Sequence, residues 1–288
     1  MEVRKALTAA MLIAAAALLL PLAPDPRWVI VMSSAAIAYG VLSPLIAARK
    51  LYFLAGASPH AALLAAVLAI SLSRTTAVSE YLWALLLGTL LIYVVGYMIN
   101  RGVDPDAATA AFVAFTASSS VMALYFVLTN FPMETDIWAY IVGDPLLVSW
   151  SDAYYAAGIA MAVLLAALLT RREQVCIGVD RDYARLTGIN VDLYDLLMFT
   201  LIAVTTIGLI RIVGFVLEHV LILLPAAFAT SVAGSSREAI YLSVGASLVA
   251  SLLGLGLAMA TNTAPAGATG LILFTAYMVG LLSRRLRG

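Results

Sequence analysis

From residue 6 to residue 283 the chain is a succession of apolar runs, most of them close to the about 20 residues that an α-helix needs to cross a bilayer's hydrocarbon core. Charge, Pro or Gly ends each run. The runs fall at 6–22, 28–48, 51–73, 78–99, 105–129 and 152–170, then, after a polar stretch, at 194–212, 214–231, 238–260 and 267–283. Alternation with period two is absent, so strands are not indicated. With 64% hydrophobic and 11% charged side chains and a mean hydropathy of +1.04, the chain has too little polar surface to coat a soluble domain, where about a quarter of residues are charged. The expectation is therefore all-α: one polytopic integral membrane bundle over 1–288, with about ten transmembrane helices and no fewer than eight, in the cell membrane.

Arg4 and Lys5 before an Ala/Leu run give 6–22 the look of a signal peptide. A chain that goes on spanning needs no cleaved leader, so this run is counted as the first helix. With the N-terminus inside, thirteen of the sixteen basic residues become cytoplasmic, the exceptions being Arg27, Arg74 and Arg211. That bias places both termini in the cytoplasm. Sixteen acidic residues balance the basic ones without blocks of either sign, so there is no nucleic-acid footprint. A single cysteine, Cys176, excludes an intrachain disulfide or a cysteine-cluster metal site. Small residues such as Gly245, Ser247, Ser251, Gly254 and Gly256 suit close helix packing.

An ATP-hydrolysing domain needs a glycine-rich loop ending in Gly-Lys-Ser/Thr, whose amides and lysine neutralise the phosphates. The only lysines are Lys5 and Lys50, and neither follows such a loop. If ATP drives this protein, another polypeptide hydrolyses it and needs a cytoplasmic docking surface. The one long polar segment on that side is about 171–195. Within it Asp180 can cap a short helix whose Tyr183, Ala184 and Leu186 face inward, with Gly188 as its stop. An ordinary amphipathic loop is the alternative.

The run Asp180-x-x-x-Ala184-x-x-x-Gly188-Ile189 resembles the cytoplasmic coupling segment of the metal-ion family of ABC importer permeases, the membrane subunits for zinc, manganese or iron uptake. Val213-Gly214 followed by Pro225-Ala226-Ala227-x-Ala229 is similar to that family's central signature, and Pro265-x-Gly267 to its C-terminal pattern. Tyr52 to Ala61 resembles the segment in which an aspartate precedes a serine–histidine pair, here with Gly56 at the aspartate's place. The resemblance implies a non-enzymatic transport subunit in a permease dimer. It also implies two separate ATPase subunits, an extracytoplasmic substrate-binding protein, surrounding membrane lipids and no permanently bound cofactor, the divalent metal ion being cargo.

An ionisable group within the hydrocarbon costs on the order of 3 kcal/mol on insertion scales, so each asks for a reason. His60 falls about 13 Å into its span, near the midplane, and neutral imidazole binds Zn²⁺, Mn²⁺ or Fe²⁺. Pro59 before it leaves a backbone carbonyl free, as in the broken helices that line transport paths. Glu218 and His219 are the other deep polar residues, and adjacent positions point about 100° apart on a helix. His60, Glu218 and His219 are thus the candidate metal contacts. The structural alternatives are a packed His60 and, for Glu218, a salt bridge to Arg211 or a helix–helix hydrogen bond. Glu134, Asp136, Asp144 and Asp152 are candidates for an extracytoplasmic mouth that attracts cations, with Pro145 to Trp150 as a short surface helix. The rival functions are import of a metal chelate or other small ligand, and an ion-coupled secondary transporter.

Overall fold

The computed structural model describes residues 25–131, 143 and 145–285, so the expected first span lies outside the described residues. Among the described residues ten helices follow one another and no strand occurs: α1 (Pro26–Ala48), α2 (Tyr52–Thr75), α3 (Glu80–Asn100), α4 (Pro105–Asn130), α5 (Trp150–Leu169), α6 (Arg171–Val179), α7 (Arg181–Leu186), α8 (Val191–Val232), α9 (Ser236–Thr261) and α10 (Pro265–Arg285). Their starts have local chemical causes. Asp25, Ser79, Asp104 and Ser235 each accept a hydrogen bond from a first-turn amide of α1, α3, α4 and α9. Ser149 and Asp152 form a reciprocal capping box on α5. Among the described residues eight helices are long and apolar enough to cross a membrane.

Helix α8, 42 residues long, would measure about 63 Å if straight, twice the bilayer core. It is not straight. Gly214 has φ 78°, ψ 159°, a conformation open to glycine, and α8 reverses there into two antiparallel limbs. The contacts along α1 establish the reversal. Tyr39 reaches both the Thr205 carbonyl and Glu218 through one hydroxyl, although a straight helix would hold those two residues about 20 Å apart. Going down α1, Arg49 meets Asp195 on the first limb while Ser43 meets Ala226 on the second. The spans read from sequence at 194–212 and 214–231 are these two limbs.

The expected break at Pro59 is absent, because α2 runs through it. Proline removes an amide hydrogen and frees the Ala55 carbonyl, and the Ser58 hydroxyl donates to that carbonyl at 2.7 Å. Helix α1 lies at the centre, packed by α5, α8 and α9, and its Tyr39, Leu42, Leu45 and Ile46 are wholly buried. Helices α3, α4 and α10 turn apolar side chains such as Leu90, Met122, Tyr125 and Leu271 outward. In a bilayer such faces meet lipid or another subunit.

Helices α9 and α10 touch at Gly254, where a methyl group would come within 2.7 Å of the Thr269 backbone nitrogen. Gly254→Val should therefore force these backbones apart and cost about 1–3 kcal/mol, the usual cost of overpacking. Gly267→Ala, with nothing within 4 Å of the new methyl, is the control. Thermal unfolding of the purified chain in detergent should show a clear loss for the first and none for the second; equal melting temperatures would contradict this account of the contact.

Candidate metal path and coupling surface

The helices alternate between two ends, marked by Asp25 and by Arg49. At the Arg49 end, the Arg49 guanidinium, at the C-cap of α1, donates to Asp195 on α8 and, at 2.5 Å, to Gln174 on α6. Arg181 of α7 donates to the other Asp195 oxygen at 2.5 Å, and Gln174 donates to the Tyr194 carbonyl at 3.2 Å. Arg49, Gln174 and Asp195 are all buried. Burial pulls the Arg49 pKa down, and the facing Asp195 carboxylate offsets part of that shift. Removing one member of a buried ion pair strands the other, typically at a cost of about 3–5 kcal/mol. This network ties the 171–195 segment to the bundle.

That segment is two helices rather than the single one expected from Asp180. Helix α6 follows α5 directly, and α7 starts where Asp180 accepts from the amides of Asp182 and Tyr183 at 2.9 and 3.0 Å. Gly188, at φ 86°, lies in the bend after α7. Of the three side chains expected to face inward, only Ala184 does, packed with Ile177 and Val191. Tyr183 is 59% exposed and Leu186 87%, as is most of Val179. Six residues make under two turns, so one small residue meets the bundle and the larger apolar ones face out.

Between the ends, α2 and the second limb of α8 bring the two histidines together. The His60 and His219 rings lie 5.3 Å apart, edge to face, and Phe215 packs against both at 4.9 and 4.4 Å. His219 Nδ1 is 3.0 Å from the Phe215 carbonyl, and the Gly56 carbonyl is a second partner of the same ring. Both histidines are half-buried. An elongated apolar groove of about 860 Å³ opens beside Gly56, lined by Tyr52, Asp106, Thr109, Leu223 and Ala227 among others.

Glu218 is not with them. It faces α1, fully buried, and Tyr39 reaches its Oε1 at 2.7 Å. The same Tyr39 hydroxyl lies 3.3 Å from the Thr205 carbonyl, and Glu218 Oε2 has no partner. One hydroxyl hydrogen cannot serve two acceptors. A protonated Glu218 that donates through Oε1 to Tyr39, with Tyr39 donating to Thr205, gives each of these hydrogens one acceptor and leaves only Oε2 without a partner. Arg211 stands over the Tyr81 ring at 5.2 Å, so of the two structural alternatives for Glu218 the structure shows the helix–helix hydrogen bond, to Tyr39, and not the pair with Arg211. Among the described residues no group of three or more His, Cys, Asp or Glu could hold a metal ion.

At the Asp25 end, Asp152 caps α5 and accepts from Tyr81 at 3.2 Å, so its oxygens are engaged in local structure. Pro145 and Leu146 form a turn rather than part of the expected surface helix, and Trp28 donates to the Leu146 carbonyl at 2.8 Å. Glu134, Asp136 and Asp144 lie outside the described residues. Gly214 makes the reversal in α8, while the second limb runs through Pro225, and next to it the Ala226 amide donates to Ser43 at 3.1 Å. Ala226 is buried and Ala227 faces the groove. Sequence reasoning missed Tyr39, Arg49, Gln174 and Asp195. The charged pair sits at span ends far apart in sequence, where charge is unremarkable, and no periodicity links them.

The model of the ABC 3 transport family matches residues 26–284. The chain is 30% identical over 193 residues to "Manganese transport system membrane protein MntC" of Halalkalibacterium halodurans, a match covering 66% of this chain and 63% of that protein. Two solved structures share the fold. "PsaBC from Streptococcus pneumoniae in complex with Fab" superposes with a TM-score of 0.78 at 20% identity over 91% of this chain and 95% of that one. "An inward-facing conformation of a putative metal-chelate type ABC transporter" gives 0.74 at 13% identity over 98% and 100%.

The proton count at Tyr39 leads to a test. Glu218→Gln keeps a group that can donate to Tyr39, whereas Tyr39→Phe leaves a buried carboxyl with no partner, which costs about 1–3 kcal/mol. Thermal melts of the two variants should therefore show the larger loss for Tyr39→Phe. A greater loss for Glu218→Gln would mean that the carboxylate is charged.

Proposed function

Since the chain belongs to the ABC 3 transport family, a family of metal-importer permeases, we propose that this multi-pass membrane protein moves a divalent transition-metal ion into the cytoplasm, driven by ATP hydrolysed on separate subunits. The observation that carries this reading is the His60–His219 pair, two imidazoles brought together from different helices at membrane depth. Ionisable side chains are costly there and mark transport paths. Imidazole nitrogens replace part of the hydration shell that a cation sheds on entering. The groove beside Gly56 continues the path toward the Arg49 end.

The positive-inside bias makes the Arg49 end cytoplasmic. Val179, Tyr183 and Leu186 then form an apolar docking surface for one of two ATPase subunits, at the end of a segment anchored by Arg49, Arg181 and Asp195. A second copy of the chain covers part of the outward apolar faces and lipid covers the rest. An extracytoplasmic binding protein delivers the ion at the Asp25 end.

Two measurements in proteoliposomes with the ATPase present test the reading. His60→Leu roughly keeps the side-chain volume and should lower metal uptake at least about tenfold, the scale on which losing a metal contact is felt; unchanged uptake of Zn²⁺, Mn²⁺ and Fe²⁺ would make His60 a packing residue. Leu186→Glu, at a position 87% exposed, should leave the melting temperature within about 0.5 kcal/mol equivalent while abolishing ATP-dependent uptake. Normal uptake in that variant would remove α7 from the docking surface.

A further inference from the structure

We infer that α6, and not the more exposed α7, passes the ATPase's motion into the bundle, with Gly178 and Gln174 as the positioning residues that make the end of α1 follow it. The inference rests on the reading of Val179, Tyr183 and Leu186 as an ATPase docking surface. It adds the contact by which docking is felt inside the membrane.

Helix α6 meets α1 backbone to backbone. A methyl group at Gly178 would collide with the Ala48 carbonyl, 2.7 Å from its carbon, so α6 lies directly on the last peptide of α1, an approach that only glycine permits. Gln174, one turn earlier on the same face, is wholly buried. Its Oε1 accepts from Arg49 at 2.5 Å, and its Nε2 donates to the Tyr194 carbonyl at 3.2 Å. Ile177, also buried, packs with Val191 at the start of α8. A single residue, Thr170, joins α6 to α5. These nine residues thus form a strut held by α5, α1 and α8.

Helix α7 is held differently. Apart from Ala184, its attachments are ion pairs near the surface: Arg181 with Asp195, and Arg185 with Asp192 at 3.7 Å, where the Asp192 side chain is 85% exposed. Exposed pairs contribute little and yield to water and salt, whereas close-packed contacts resist compression and transmit displacement. A force on the docking surface therefore bends α7 on its pairs but shifts α6 and the end of α1 together. The docking surface also begins on the strut itself, since exposed Val179 is the last residue of α6 and adjoins Gly178. Helix α1 carries the displacement inward, because its Tyr39 reaches both limbs of α8.

The test uses the permease together with its ATPase in proteoliposomes and reads ion uptake and ATP hydrolysis in the same sample, with Zn²⁺ and Mn²⁺ each supplied alone. Gly178→Ala drives a methyl group into the Ala48 carbonyl. Gln174→Leu keeps the bulk and removes both hydrogen bonds. Asp192→Asn weakens the attachment of α7 and leaves α6 untouched.

Gly178→Ala and Gln174→Leu should hydrolyse ATP within about twofold of the wild type yet move at least about fivefold fewer ions per ATP. Asp192→Asn should keep the wild-type ratio. A contact that only stabilises the fold would lower hydrolysis and uptake together and leave ions per ATP unchanged; that result in Gln174→Leu would overturn the inference, and this variant decides alone if Gly178→Ala does not fold. A fall in ions per ATP in Asp192→Asn as large as that in Gln174→Leu would overturn it too, by assigning the transmission to α7. Absence of ATP-dependent uptake in the wild type would overturn the ATP-driven reading itself, and the inference with it.

Discussion

In hydrocarbon every backbone N–H and C=O must find a partner inside the protein, since no water is there to supply one. Nearly every irregularity of this bundle answers that requirement. Pro59 frees the Ala55 carbonyl, and Ser58 next to it donates to that carbonyl. Pro225 brings no amide hydrogen to the second limb of α8, and the amide of Ala226 beside it donates to Ser43. The reversal at Gly214 is possible because glycine tolerates its φ of 78°, and Tyr39 holds the two limbs together below it. Thr116, Thr205 and Thr206 return their hydroxyls to carbonyls one turn earlier on their own helices.

Two helices carry most of what positions the functional parts. Helix α1 holds Tyr39 against the reversed limbs of α8 and Arg49 against Asp195 at its far end. Helix α8 begins beside the coupling segment, turns at Gly214, and presents His219 to His60 on its return. The anchor of α7 and one wall of the histidine pair are thus parts of one helix, with α1 as their common support. Arg181, which joins α7 to Asp195, is half-exposed and bonded to a carboxylate that Arg49 already holds, so α7 is attached to the bundle by charge at one edge and by Ala184 packing at the other.

The adjacent pair Glu218–His219 shows how helix geometry divides labour between neighbours. The turn of about 100° between consecutive residues sends the carboxyl into the core, onto Tyr39, and the imidazole to the face shared with α2. A buried acid next to a possible metal ligand reads as a second ligand in sequence, but in the bundle it is a clasp between helices. What stands next to the histidines instead is a backbone carbonyl and an apolar groove.

The spans were legible because bilayer thickness imposes a length that can be counted directly: the runs at 28–48, 51–73, 78–99, 105–129 and 152–170 became α1 to α5 with shifts of a few residues, and both limbs of α8 were separated at Gly214. The helical start at Asp180 was legible too, because a cap acts on amides two and three residues away. What depends on contacts between distant residues was not. The Arg49–Asp195–Arg181 network, the Tyr39–Glu218 clasp and the outward turn of Tyr183 and Leu186 follow from which helix faces meet. In an apolar chain nearly every face is hydrophobic, so periodicity does not mark the buried side. By itself the sequence determined where the long apolar spans of the described residues run and which rare polar residues lie deep; only the tertiary packing decided that His60 meets His219 and that Glu218 does not, because that choice depends on how α8 folds back on α1 and α2.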